Sequence, residues 1–181
     1  MYDLPAGKGR HFLNQGGVVN AILGGWEVGV IITLQTGFPV DLTTGVDQVN
    51  NGEGGYDRPS YSGVTPLRPP NPGIHQWINP AAYMIPTSCT YNGIDTSPYC
   101  YGNVGRTTVY GPWLGSLDAN VMKRFEFREG KYLQLRFEAF NATNHPNFDF
   151  GNSNFSSSNF GTITSTNTPM RELQLGLKFV Y

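Results

Sequence analysis

Apolar and polar residues alternate along four stretches of this chain. From Trp26 to Phe38, Trp26, Val28, Val30, Ile32, Leu34, Thr36 and Phe38 fall on one side, and Glu27, Gly29, Ile31, Thr33, Gln35 and Gly37 on the other. A period of two is the signature of a strand with one apolar face. Near the end of the chain, Leu173, Leu175, Leu177, Phe179 and Tyr181 alternate with Glu172, Gln174, Gly176 and Lys178. Between Lys131 and Asn141, Leu133, Leu135, Phe137 and Ala139 oppose Gln134, Arg136 and Glu138, which include a candidate ion pair. A fourth stretch is less regular: Leu117, Ala119 and Val121 alternate with Ser116, Asp118 and Asn120, and Lys123 interrupts before Phe125 and Phe127. The pattern predicts long strands over 25–38, 114–127, 131–141 and 171–181, an all-β antiparallel meander.

The connections are very unequal. Arg128-Glu129-Gly130 is a tight turn, whereas 39–112 and 142–170 are long and rich in Gly, Pro, Asn, Ser and Thr. A loop of such length is foreign to a compact soluble domain and normal on one rim of an outer-membrane β-barrel. The twelve steps from Trp26 to Phe38, at about 3.3 Å each and tilted by about 45°, project to about 28 Å, near the apolar band of such barrels. Trp26 and Phe38 would then stand at the two edges of that band. The alternative is a soluble β-sandwich, a recognition or adhesion module, although sandwich strands are usually about half as long. A transmembrane helix over Val18–Leu34 fails, because the stretch is short, carries Gly24, Gly25 and Gly29, and has Glu27 near its centre.

Composition agrees with a turn-rich β chain. Among 181 residues there are 23 Gly and 13 Pro, aromatics reach 13%, and charged residues only 14% with a net charge of -1. That balance excludes a basic nucleic-acid binder and a coiled coil. The opening MYDLPAGKGR has no signal-peptide pattern, so either the chain is intracellular or Met1 is not the natural start.

Candidate chemistry is sparse. His11, His75 and His145 lie far apart, without HExxH or CxxC, and no metal or cofactor motif stands out. No nucleophile elbow or phosphate loop is present, so an enzyme is not expected. Asp41, Asp47, Glu53 and Asp57 invite a calcium reading but miss the EF-hand spacing, and solvated loop charges explain them as well. Tyr56, Tyr61, Trp77, Tyr83, Tyr91, Tyr99 and Tyr101 are candidates for stacking on a bound solute, or for packing within the loops.

Several segments taken together, LPAGKGRHF, LGGWEVGVIITLQTGFPV, WINPAAY, YGNVGR, GPWLGSLDANVMKRF, LQLRFEAFNATNHPNF, NFGTIT and RELQLGLKFVY, resemble the C-terminal end of a TonB-dependent outer-membrane receptor, Oar-like group, whose members often begin with a carboxypeptidase-regulatory-like domain. The resemblance covers nearly the whole chain and implies that 1–181 is part of a 22-stranded barrel around an N-terminal plug. It implies import of a scarce solute, with outer-membrane lipid, the rest of the barrel and plug, the TonB protein and the barrel assembly machinery as partners. Plug, TonB box and most of the barrel are not seen in this sequence. On this reading Gln134, Arg136, Glu138, Glu172, Gln174 and Lys178 face the lumen, and Phe179 and Tyr181 form the assembly signal. Residues 8–23 become a periplasmic connection in which Val18, Val19, Ile22 and Leu23 form either a short amphipathic helix or an irregular loop. Cys89 and Cys100, in an outer loop, are expected to pair. Four long strands cannot close a transmembrane barrel, so an open meander with exposed edges and a tendency to aggregate is expected.

Overall fold

The computed structural model describes residues 1–14, 16–52 and 54–181. In chain order the elements are β1 (Tyr2–Asp3), α1 (Val18–Leu23), β2 (Trp26–Gln35), β3 (Pro39–Val40), β4 (Ser60–Tyr61), β5 (Tyr83–Met84), β6 (Thr90–Tyr91), β7 (Ile94–Asp95), β8 (Val109–Tyr110), β9 (Leu114–Arg128), β10 (Lys131–Phe140) and β11 (Glu172–Val180). They divide between two compact units, one of Met1–Gln35, Gly115–Pro146 and Thr168–Tyr181, the other of Thr36–Leu114 and Asn147–Asn167.

The first unit is a sheet in the order β1-β2-β9-β10-β11. The pairs β1–β2, β9–β10 and β10–β11 are antiparallel. The β2–β9 seam runs the same way: Gly25 O accepts from Arg124 N at 2.9 Å, and Gly29 lies against the side chain of Asn120, so residue numbers rise on one strand as they fall on the other. The tight turn expected after β9 is present, with Arg128 opposite Lys131 and a bulge between Lys131 and Tyr132.

Register sorts the side chains, because residues directly opposite share a face. Leu133 stands across from Phe179, Leu135 from Leu177, Phe137 from Leu175 and Ala139 from Leu173. On the other flank Leu133, Phe137 and Ala139 meet Phe125, Val121 and Ala119. This apolar face is open: Leu175 is 83% exposed, and Ile32, Leu34, Leu173 and Leu177 are exposed with it. A sandwich would have covered it with a second sheet, and among the described residues of this unit there is none.

Strand β2 stops at Gln35, short of the expected Phe38. An added Cβ at Gly37 would collide with the carbonyl oxygens of Gly111 and Pro112, so the chain there is pressed against another backbone rather than a ladder partner. Phe38 therefore lies beyond the strand, in the second unit. The other long strands keep their expected ends to within a residue.

The second unit turns the long loops into a folded body. Its core is Leu42, Ile78, Ala82, Tyr83, Val104, Val109 and Phe160, with Tyr61, Trp77, Phe150 and Phe155 packed against it. Short antiparallel pairs β3–β8, β4–β5 and β6–β7 tie it together. No helix of the described residues is long and apolar enough to cross a membrane, which says nothing about crossing by strands.

Candidate functional site

The sheet presents two chemically opposite faces. Opposite the apolar one, Gln134 pairs with Lys178, Arg136 with Gly176, Glu138 with Gln174, and Phe140 with Glu172. The structure thus brings all six residues assigned to the lumen onto one surface. Arg136 Nη1 is 3.7 Å from Glu138 Oε1, an exposed ion pair of small energetic weight. Gln134 Nε2 lies 3.4 Å from Met122 Sδ on the neighbouring strand. Toward the short-turn end, this polar side opens into a cavity of about 850 Å³ whose lining includes Asp3, Lys8, Asn20, Glu27, Arg124 and Gln134.

Lys123, the interruption in the fourth pattern, sits on the apolar face opposite Leu135, yet is only 3% exposed. Its ammonium lies 5.4 Å from the centre of the Trp26 ring and 5.0 Å from that of Phe125, and donates a hydrogen bond to Gly24 O. The aliphatic stem covers apolar surface while the charge leaves toward the end of the sheet, which is how a lysine remains on such a face. Alternation alone could not reveal this, since the partner carbonyl is far away in sequence. At the same end Phe179 stacks on Tyr181 at 6.2 Å and lies 6.5 Å from Phe127, so the proposed assembly-signal residues belong to an aromatic cluster.

In the second unit the tyrosine candidates separate. Tyr83, 4% exposed, is core, with its ring 5.8 Å from Tyr61 and 5.9 Å from Phe160. Burial, helped by Tyr61, pushes its phenol up to about 12. Trp77 donates from Nε1 to Tyr110 O at 2.8 Å and carries the Arg68 guanidinium 4.3 Å over its ring. Tyr83 is therefore a packing residue, and Tyr61 and Trp77 are half-buried against the same core. Tyr56 and Tyr101 are 76% and 74% exposed, and Tyr91 and Tyr99 are exposed as well.

Tyr91 stands in a small stapled hairpin and Tyr99 just after it. β6 and β7 join through Asn92-Gly93, both at positive φ (50° and 79°), the conformation a two-residue hairpin turn requires. Cys89 and Cys100 form a disulfide across its base, with Cα atoms 5.7 Å apart. Asp95 is held below the usual carboxylate range by hydrogen bonds from the Ser97 amide and hydroxyl. The acidic residues that invite calcium are occupied locally: Asp47 accepts from Asn51 N and Gly52 N at 3.0 and 2.9 Å, Asp57 from Val49 N at 2.9 Å, and Asp41 from Thr107 N at 2.6 Å. Glu53 lies outside the described residues. Among the described residues no three His, Cys, Asp or Glu converge, and the three histidines stay dispersed.

A family model described as outer membrane beta barrel domain matches residues 1–174. The chain belongs to that family. Neither the curated proteins nor the solved structures give a match. An outer-membrane β-barrel protein has lipid around it, and the exposed Leu, Ile and Phe face of the sheet has the chemistry for that contact. Sequence reasoning missed the core of the barrel protein's loop unit, because Leu42, Ile78, Val104 and Phe160 stand singly among Gly, Pro and polar residues without any period.

Proposed function

We propose that this outer-membrane barrel protein is an arc of a TonB-dependent receptor of the Oar-like group, which captures a scarce solute on its outer loops and passes it through the barrel. The chain acts by binding and transport, and carries out no catalysis of its own. Residues 39–112 and 142–170 face the outside, and 8–23, 128–130 and Tyr181 face the periplasm. Gln134, Arg136, Glu138, Glu172, Gln174 and Lys178 line the polar interior. Further strands pair with the free edges of β1 and β11. The plug and TonB box lie in other parts of the receptor, and Phe179 with Tyr181 is read by the barrel assembly machinery.

One observation carries this reading: the long connections at one end of the strands fold around a core of their own, with a disulfide-closed hairpin, while the other end has a two-residue turn. A pore that only leaks solutes has no need of such a body, whereas a receptor gains affinity from loops ordered before the ligand arrives. Tyr56, Tyr91, Tyr99 and Tyr101 are the side chains offered for stacking.

Depletion of solutes from a defined medium by cells with and without the full-length receptor tests the function, in TonB-containing and TonB-lacking backgrounds. A solute removed only when both receptor and TonB are present is the expected result. Depletion indifferent to TonB removes the energy-coupled reading. Thiol labelling of intact cells tests the orientation: His75→Cys is expected to react and Glu129→Cys to remain unlabelled, and the reverse inverts the topology.

A further inference from the structure

The connection between β1 and β2 carries apolar side chains that the sheet does not use. Phe12, Leu13, Val18, Ile22 and Leu23 are all exposed, Val18 by 74%. In α1, Val18, Val19, Ile22 and Leu23 share one side, and Asn20 and Ala21 occupy the other. The Asn20 side faces the polar cavity, where its Oδ1 accepts from Lys8 N at 2.7 Å. On the apolar side Val18, Ile22 and Leu23 are exposed.

Where this helix is fastened decides what covers it. Its last turn is held by two side chains: Trp26 Nε1 donates to Ile22 O at 2.8 Å, and the Lys123 ammonium donates to Gly24 O. Trp26 and Lys123 both belong to the apolar face of the sheet. The helix end is therefore clipped to the border of the sheet's apolar face. A tryptophan and a lysine at such a border are the side chains that favour the headgroup zone. Lys8, on the same connection, is exposed and lines the polar cavity, which makes it the aqueous reference for the helix.

We propose that α1 with Phe12 and Leu13 is an interfacial element that lies in the phospholipid headgroup layer of the inner leaflet, its Val18 and Ile22 side turned into the acyl boundary. It rests on the reading of the sheet as a lipid-embedded arc with its short-turn end toward the periplasm. A partly inserted amphipathic helix adds apolar burial and headgroup contact at this rim. It also keeps Asn20 and Ala21 over the cavity mouth, so lipid contact on one side fixes what the periplasmic end of the barrel sees on the other.

The test uses the full-length protein in vesicles of phosphatidylethanolamine and phosphatidylglycerol, with the native cysteines left bonded. Single variants Val18→Cys, Ile22→Cys, Lys8→Cys and Ile32→Cys carry an environment-sensitive fluorophore. Spin-labelled lipids bearing the nitroxide at the headgroup, high on the acyl chain or deep on it, and aqueous iodide, are the quenchers. The expected result is strong lipid quenching at 18 and 22, with iodide quenching several-fold weaker than at 8. Ile32, on the strand face, serves as the reference. If 32 is not quenched by deep-labelled lipid, the barrel reading falls and this inference with it. If 32 is quenched but 18 and 22 are as open to iodide as 8, the interfacial element alone is overturned. Shielding of 18 and 22 from both quenchers overturns it in favour of a protein partner.

Discussion

Asn141 shows how much one side chain can hold at the end of a strand. It is buried, its φ is 47°, and it follows β10 directly. Its Nδ2 donates to His145 O and Pro169 O at 3.0 and 3.2 Å, its Oδ1 accepts from His145 N at 3.0 Å, and its amide donates to Asp118 at 2.8 Å. Asn141→Ala would keep the backbone amide bond but remove the three side-chain hydrogen bonds to His145 and Pro169, in a conformation that asparagine tolerates better than alanine. The expected loss is about 1–3 kcal/mol, read as a lower urea midpoint of the protein in lipid. Tyr83 sets a pH limit on the loop unit. Its phenol is raised from 10.0 to about 12, so the neutral form is favoured in the folded state. The stability it contributes is fully present below pH 10.0 and is lost as pH rises through about 12. Unfolding midpoints of the loop unit should hold up to about pH 10 and fall as pH rises from there toward about 12, and Tyr83→Phe should flatten that fall. An unchanged slope would remove Tyr83 as its cause.

At the scale of elements, the sheet's two faces predict opposite responses to the same charge. Leu175→Arg, in the middle of β11 on the apolar face, should cost about 2–4 kcal/mol in lipid, while Gln174→Arg on the polar face should cost little. Equal costs in urea titrations of the vesicle-bound protein would mean that the faces are not distinguished by solvent. The strands were legible because each is long and repeats its alternation, which is the signal that register enforces when one face is apolar. Their far ends were less so: nothing in Thr36-Gly37-Phe38 announces that Gly111 will press against Gly37. The acidic and aromatic loop residues were legible only as candidates, since Tyr61 and Tyr83 belong to a core assembled from distant single residues while Tyr101 does not. Lys123 read as an interruption, because its stabilising partner, the Gly24 carbonyl, is fixed by tertiary structure alone.

For the molecule as a whole, the unusual fact is that β2 and β9 are neighbours in one sheet although residues 36–113 lie between them. Joining two strands across so long a stretch of flexible chain is entropically costly and kinetically slow. Here the inserted unit brings its own ends together: Pro39 pairs with Tyr110, Val40 with Val109, and Gly111 N donates to Phe38 O at 2.9 Å. Once that clasp has formed, the effective chain between β2 and β9 shrinks to a few residues, and the seam can zip like a local hairpin. The order of events during refolding then follows from the clasp. Val109→Ala, which weakens the clasp and its core, should slow appearance of the β2–β9 seam by more than it slows β9–β10, whose turn is already local. Pulse-labelled hydrogen exchange on the amides of β2 and β10 would display the two rates separately, and equal slowing would mean that the insertion closes without help. The inserted unit would thus act as an intramolecular folding template for the two strands that flank it in sequence, a role in biogenesis distinct from anything it does once the protein is in place.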